Sequence, residues 1–101
     1  MGQMLFEKKV GSFAKLVEEI EWLDLDSGVR AFADYDGKKG QLVFVTRSPH
    51  DTYVMMVYEN KGSADKPVPG ERLLVKEFRK TDELTRSLRG LLSKPLTAFV
   101  Y

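Results

Sequence analysis

The sole histidine, His50, stands beside Asp51 and Thr52 in the run Ser48-Pro49-His50-Asp51. A histidine next to a carboxylate is the raw material of general-base chemistry, and Asp34 would be a second acid if the fold carried it there. Geometry makes a base, however, and side chains of adjacent turn residues point apart. Neither a serine nucleophile nor an oxyanion motif accompanies the pair. Asp34-Tyr35-Asp36-Gly37 opens like a calcium loop, but the chain runs on through Lys38 and Lys39 into Leu42-Val43-Phe44-Val45 and never reaches a bidentate glutamate. The glycines from Gly37 to Gly40 and from Gly62 to Gly70 match neither the Walker nor the dinucleotide spacing. Cysteine is absent, which removes thiolate zinc sites, disulfides and cysteine nucleophiles together. The sequence therefore predicts a non-enzymatic protein with no catalytic residues, no metal and no cofactor.

What remains is recognition chemistry. Phe32, Phe44 and Tyr53 with Arg30 have the composition of a sheet-borne stacking platform for single-stranded nucleic acid, and Arg86 and Arg89 on a basic helix could meet phosphate. No RNP-type sequence is present, so nucleic acid is the second choice. Trp22 falls half a turn from Phe13 at 100° per residue, off the apolar stripe of its helix and among Glu18, Glu19 and Glu21. There it could anchor a protein partner.

The elements that must carry these residues follow from periodicity. Leu5 to Val10 reads as a short, charged edge strand. Ser12 caps a helix whose apolar stripe is Phe13, Leu16, Val17, Ile20 and Leu23, with Asp24 to Ser27 and a left-handed Gly28 as its stop. A three-strand meander spans Val29 to Tyr58, with turns at Asp36 to Gly40 and Ser48 to Asp51. Glu59 to Glu71 is a polar loop and Arg72 to Arg79 a fourth strand in succession. Thr81-Asp82-Glu83 caps a helix carrying Leu84, Leu88, Leu91 and Leu92, ended by Ser93-Lys94-Pro95, and Leu96 to Tyr101 is a last strand. The pattern Val29-Arg30-Ala31 through Asp36-Gly37 after an amphipathic helix resembles the opening of a Roadblock-type domain. It stops there, because Ser48 to Asp51 stands where that family has a helix, and no family is assigned on it.

The expected fold is thus α+β over residues 1–101: one domain, a two-layer sandwich with a mainly antiparallel sheet, order β-α-β-β-β-β-α-β and both helices on one face. At 101 residues, 43% hydrophobic and with a formal charge of +1, the chain suits one globular domain without general attraction to polyanions. No apolar run approaches the roughly 20 residues of a membrane span, so a cytoplasmic, soluble protein is expected.

The two later meander strands carry large apolar residues on both alternating faces, which two helices cannot cover. Pairing Tyr35 with Gln41 and Arg47 with Thr52 puts Val29, Ala31, Ala33, Tyr35, Val43, Val45, Val54 and Met56 under the helices. It leaves Phe32, Leu42, Phe44, Tyr53, Met55 and Val57 on the other face. Phe32, Phe44, Tyr53, Met55 and Val57, with Trp22 apart, are therefore the expected interaction residues. The function they imply is a protein-interaction or regulatory module that self-associates as a homodimer. A nucleic-acid-binding domain using Arg30, Arg86 and Arg89 is the alternative, and a pocket for a small apolar ligand a further one.

Overall fold

Alternation, turn residues and caps produce eight elements in the computed structural model, which describes residues 8–101. They are β1 (Lys8–Val10), α1 (Phe13–Glu21), β2 (Gly28–Tyr35), β3 (Lys38–Arg47), β4 (Tyr53–Asn60), β5 (Pro69–Phe78), α2 (Thr81–Arg89) and β6 (Ala98–Val100). The strands form one sheet in the order β1-β6-β2-β3-β4-β5, antiparallel at every pairing. This is the α+β order expected from the sequence. The Leu5 to Glu7 part of the first expected strand lies outside the described residues.

The two hairpins of the meander differ in how they fix register. In the first, Asp36 and Gly37 both have positive φ (54° and 76°), the signature of a two-residue turn matched to strand twist, and Tyr35 pairs with Lys38. Gly40, at φ 77°, then absorbs a bulge, so that Ala33 rather than Tyr35 faces Gln41. In the second, the Asp51 N–H donates to the Ser48 carbonyl at 3.1 Å and Asp51 itself is left-handed at φ 63°. The Ser48 N–H donates to the Thr52 carbonyl at 2.8 Å, closing a three-residue loop. Aspartate tolerates that conformation better than most side chains.

Arg47 therefore pairs with Tyr53, not with Thr52. That single residue corrects a whole strand: Tyr53, Met55 and Val57 point to the same side as Val43 and Val45, and Val54, Met56 and Tyr58 to the other. Tyr53 is 6% exposed and Met55 and Val57 are 0% exposed, so the three are core residues rather than a free surface.

The core joins both helices to this inner set. Leu16 and Ile20 of α1, Leu84 and Leu88 of α2, and Val29, Ala31, Ala33, Val43, Val45, Met55, Val57 and Ala98 of the sheet share one buried cluster. Small and β-branched side chains let a helix approach closely, and each large member contributes about 1.5 to 3 kcal/mol through loss of water contact.

Helix ends depart from expectation in instructive ways. Ser12 does cap α1, its hydroxyl accepting from the Lys15 N–H at 3.2 Å. The helix ends at Glu21 with Trp22 as its cap, and Leu23 reaches the core from the connection instead. Gly28 is not a left-handed stop but the first residue of β2. It is glycine's lack of a side chain that matters there, since a Cβ would lie 2.7 Å from the Tyr101 hydroxyl. At α2 the cap is Lys80, without a side-chain hydrogen bond, and Thr81 begins the helix. Asp82 and Glu83 in its first turn and Arg86 and Arg89 in its last suit the helix dipole.

The expected polar loop is shorter than Glu59 to Glu71, because β4 continues to Asn60 and β5 starts at Pro69. Asn60 organises what is left: its side-chain oxygen accepts from the Gly62 and Val68 N–H groups at 2.9 and 3.0 Å. Its own backbone N–H donates to the buried Gln41 side chain at 2.9 Å. After α2, the Asp34 N–H donates to the Leu91 carbonyl and the Ser93 N–H to the Phe32 carbonyl. A cis Lys94-Pro95 bond follows, and β6 then takes its place beside β2.

Candidate functional site

Cross-strand registers arrange the outer side chains in rows. The central row reads Lys9, Phe99, Arg30, Phe44, Met56 and Val75, one residue from each of the six strands. Beside it run Phe32, Leu42 and Tyr58 on one flank, and Gly28, Thr46, Val54 and Glu77 on the other. Phe32, Phe44, Val54, Met56, Tyr58 and Phe99 are half-buried, Val75 is 47% exposed, and none of them belongs to the helix-bearing cluster. Leu42 alone is sealed, at 0% exposure between its cross-strand neighbours Phe32 and Tyr58.

The aromatic side chains interlock. Phe44 and Tyr58 meet edge to face with centroids 5.6 Å apart, and the Arg30 guanidinium lies 4.9 Å over the Phe99 ring. Tyr101 extends the surface past β6. Its backbone exchanges hydrogen bonds with Gly28 at 2.9 and 3.0 Å, and its ring occupies the space a Gly28 side chain would fill. A hollow of about 320 Å³ lies among Phe44, Met56, Tyr58, Pro69 and Tyr101. The outer face is thus apolar and aromatic through its middle, around Arg30, with Lys9, Arg72 and Glu77 toward its two edge strands.

Of the residues expected to form an interaction face, Phe32 and Phe44 are on it. Tyr53, Met55 and Val57 are on the opposite side of the sheet. In their place stand Val54, Met56, Tyr58, Phe99 and Tyr101, which sequence reasoning missed. Two signals pointed to them: a five-residue Ser48 to Thr52 segment able to form a bulged three-residue hairpin, and the alternation of Phe99 and Tyr101 with Ala98 and Val100. Trp22 is 82% exposed, at the end of α1 and not on a sheet strand.

The basic residues are not brought together. Arg30 is on the outer face, whereas Arg89 rides α2 and stacks 4.6 Å over Phe13, a residue packed on the buried cluster. Arg86 is exposed on the same helix.

Around His50 the structure places Asp51, Thr52, Glu77 and Arg79, which together line a hollow of about 540 Å³. Asp51 turns to Arg47, whose guanidinium also donates to the Tyr53 hydroxyl at 3.1 Å and lies 4.9 Å over its ring. The hydrogen bond that Arg47 donates to Asp51 holds its guanidinium above the ordinary pKa, opposed by partial burial. Thr52 donates to Glu77 at 2.5 Å. Asp34, at the far end of β2, accepts from Ser93 Oγ at 2.6 Å. Among the described residues no group of three acidic or histidine side chains is placed to share a metal ion, and no helix is long and apolar enough to cross a membrane.

Comparison with known proteins adds no assignment: no family model, no curated protein and no solved structure matches the chain. Fold and site together define an α+β domain whose six-stranded antiparallel sheet shares one buried cluster with side chains of both helices and carries a largely apolar, half-buried row outside that cluster.

Proposed function

We propose that the protein is a non-enzymatic interaction module that self-associates through the outer face of its sheet. The observation that carries this is the central row, in which Phe99, Phe44, Met56 and Val75 stand with Arg30 and the edge residue Lys9, flanked by Phe32, Val54 and Tyr58 and, among the described residues, outside the buried cluster that holds the helices. Burying such a surface against a second copy removes it from water on both partners at once, the arrangement of a closed twofold pair. A near-neutral chain has little charge repulsion to overcome. The lack of cysteine suits a cytoplasmic address. Light scattering at micromolar concentration should give twice the chain mass. Phe44→Glu should halve it while leaving the circular dichroism spectrum unchanged, and a monomer at every concentration would defeat the reading.

A second reading is favoured by one observation: Phe32, Phe44, Tyr58, Phe99 and Tyr101 place aromatic rings on a single face around Arg30. Rings so placed can stack successive bases of a single strand. This reading requires salt-sensitive binding of a short single-stranded oligonucleotide, lost in Phe44→Ala and Arg30→Ala, and a flat titration at low salt would dispose of it.

A further inference from the structure

The connection after α1 leaves Trp22 82% and Leu25 61% exposed, the two most exposed large apolar side chains among the described residues. An indole left bare to water is out of keeping with a residue that is usually well covered. Trp22 follows Glu21 directly and lies one helical turn beyond Glu18, while Asp24 and Asp26 come next in the chain. All four acids are exposed. Their compensation is slight. Glu18 meets Lys15 at 3.3 Å across the helix surface, and Asp24 uses one oxygen to hold the Ser27 hydroxyl at 3.0 Å and the Asp26 N–H at 3.1 Å. The better cation contact, Lys8 at 2.8 Å, goes to Glu19. Beside Leu25 opens a hollow of about 340 Å³ bounded by Asp24, Pro49 and Asp51, whose one cation, Arg47, is already paired with Asp51.

We propose that Trp22, Leu25 and the carboxylates of Glu18, Glu21 and Asp24 form a docking surface for an arginine-containing basic segment of a partner protein. The indole face takes a guanidinium, the carboxylates hold its neighbours, and Leu25 and the hollow beside it receive an apolar side chain. Charge complementarity selects this occupant. An anionic membrane or a nucleic acid would be repelled by the same acids. A second copy offering the arginines of its α2 is disfavoured, because that helix carries Asp82 and Glu83 beside Arg86 and Arg89 and so has no net charge, and Arg89 is already stacked on Phe13.

Trp22 is the sole tryptophan, so its emission reports this surface alone. The probe is a short synthetic peptide alternating arginine and leucine, compared with its lysine and glutamate counterparts. The arginine peptide should change the emission saturably, more weakly as salt rises, with the lysine peptide weaker and the glutamate peptide inert. Anisotropy of the labelled arginine peptide should show Trp22→Ala weakening binding about tenfold or more, and Glu18→Gln with Asp24→Asn flattening the salt dependence. Glu83→Gln, which removes an exposed carboxylate on α2, should bind the peptide as the parent does. These side chains are solvent-facing, so matching circular dichroism spectra establish that each variant is folded. The proposal is overturned by a flat emission titration at low salt, by Trp22→Ala binding with undiminished affinity, or by loss of binding in Glu83→Gln. An emission change on concentrating the protein alone would also overturn it, by making the occupant a second copy.

Discussion

Met55 and Met56 are adjacent residues of the same type on the same strand, and they live in different solvents. Met55 is 0% exposed within the cluster that joins both helices, whereas Met56 is half-buried in the outer row between Phe44 and Val75. The difference shows that a strand apolar on both sides need not be symmetric in role. One face holds the fold together, and the other stays partly open to water.

The largest effect that sharpens this contrast is expected at the inner methionine. Met55→Ala should cost about 2 to 5 kcal/mol by chemical denaturation, and Met55→Glu should leave no cooperative transition, because a buried, unpaired carboxylate has nowhere to go. Met56→Ala should cost less than about 1.5 kcal/mol, since its site is partly open to water already. If the two proved equally costly, the distinction between the faces would be lost.

Next in size is the hairpin that sets it. Asp51→Val forces a β-branched residue into a left-handed conformation and should lower stability by about 1 to 3 kcal/mol, whereas Asp51→Gly should stay within about 1 kcal/mol of the parent. Equal stability in the two variants would mean that Asp51 is not left-handed and that the register of β4 is different.

A smaller effect is expected where Tyr101 leans on Gly28. Gly28→Ala should displace the ring at a cost of about 1 kcal/mol, and the same change should be nearly neutral in a Tyr101→Ala background. Smallest of all, Trp22→Ala should shift stability by no more than about 0.5 kcal/mol in thermal unfolding, since the ring contributes little to the core.

These residues also show how much was legible beforehand. The first hairpin was expected with Tyr35 opposite Gln41 and has Ala33 there instead, a shift of two residues. A shift of two preserves the side of every residue, so Val29, Ala31, Ala33, Val43 and Val45 were correctly grouped despite it. The second hairpin was off by one residue, and every side chain of β4 changed sides. Hydrophobic pattern had no power to prevent that, because Tyr53-Met55-Val57 and Val54-Met56-Tyr58 are nearly equal in apolar character. The outer aromatic face was likewise only half visible: Phe32 and Phe44 were found, while Phe99 and Tyr101 required knowing that the last strand lies beside β2.

Local chemistry was enough to determine the kinds of element and their order, since periodicity, caps and turn residues act over a few neighbours. It also determined that apolar sheet surface exceeds what two short helices can cover. Which residues make up that excess was decided only when Asp51 took up its left-handed turn and β6 settled between β1 and β2. Register and strand neighbourhood are long-range choices, made by how the whole sheet packs and not by the preferences of any one segment.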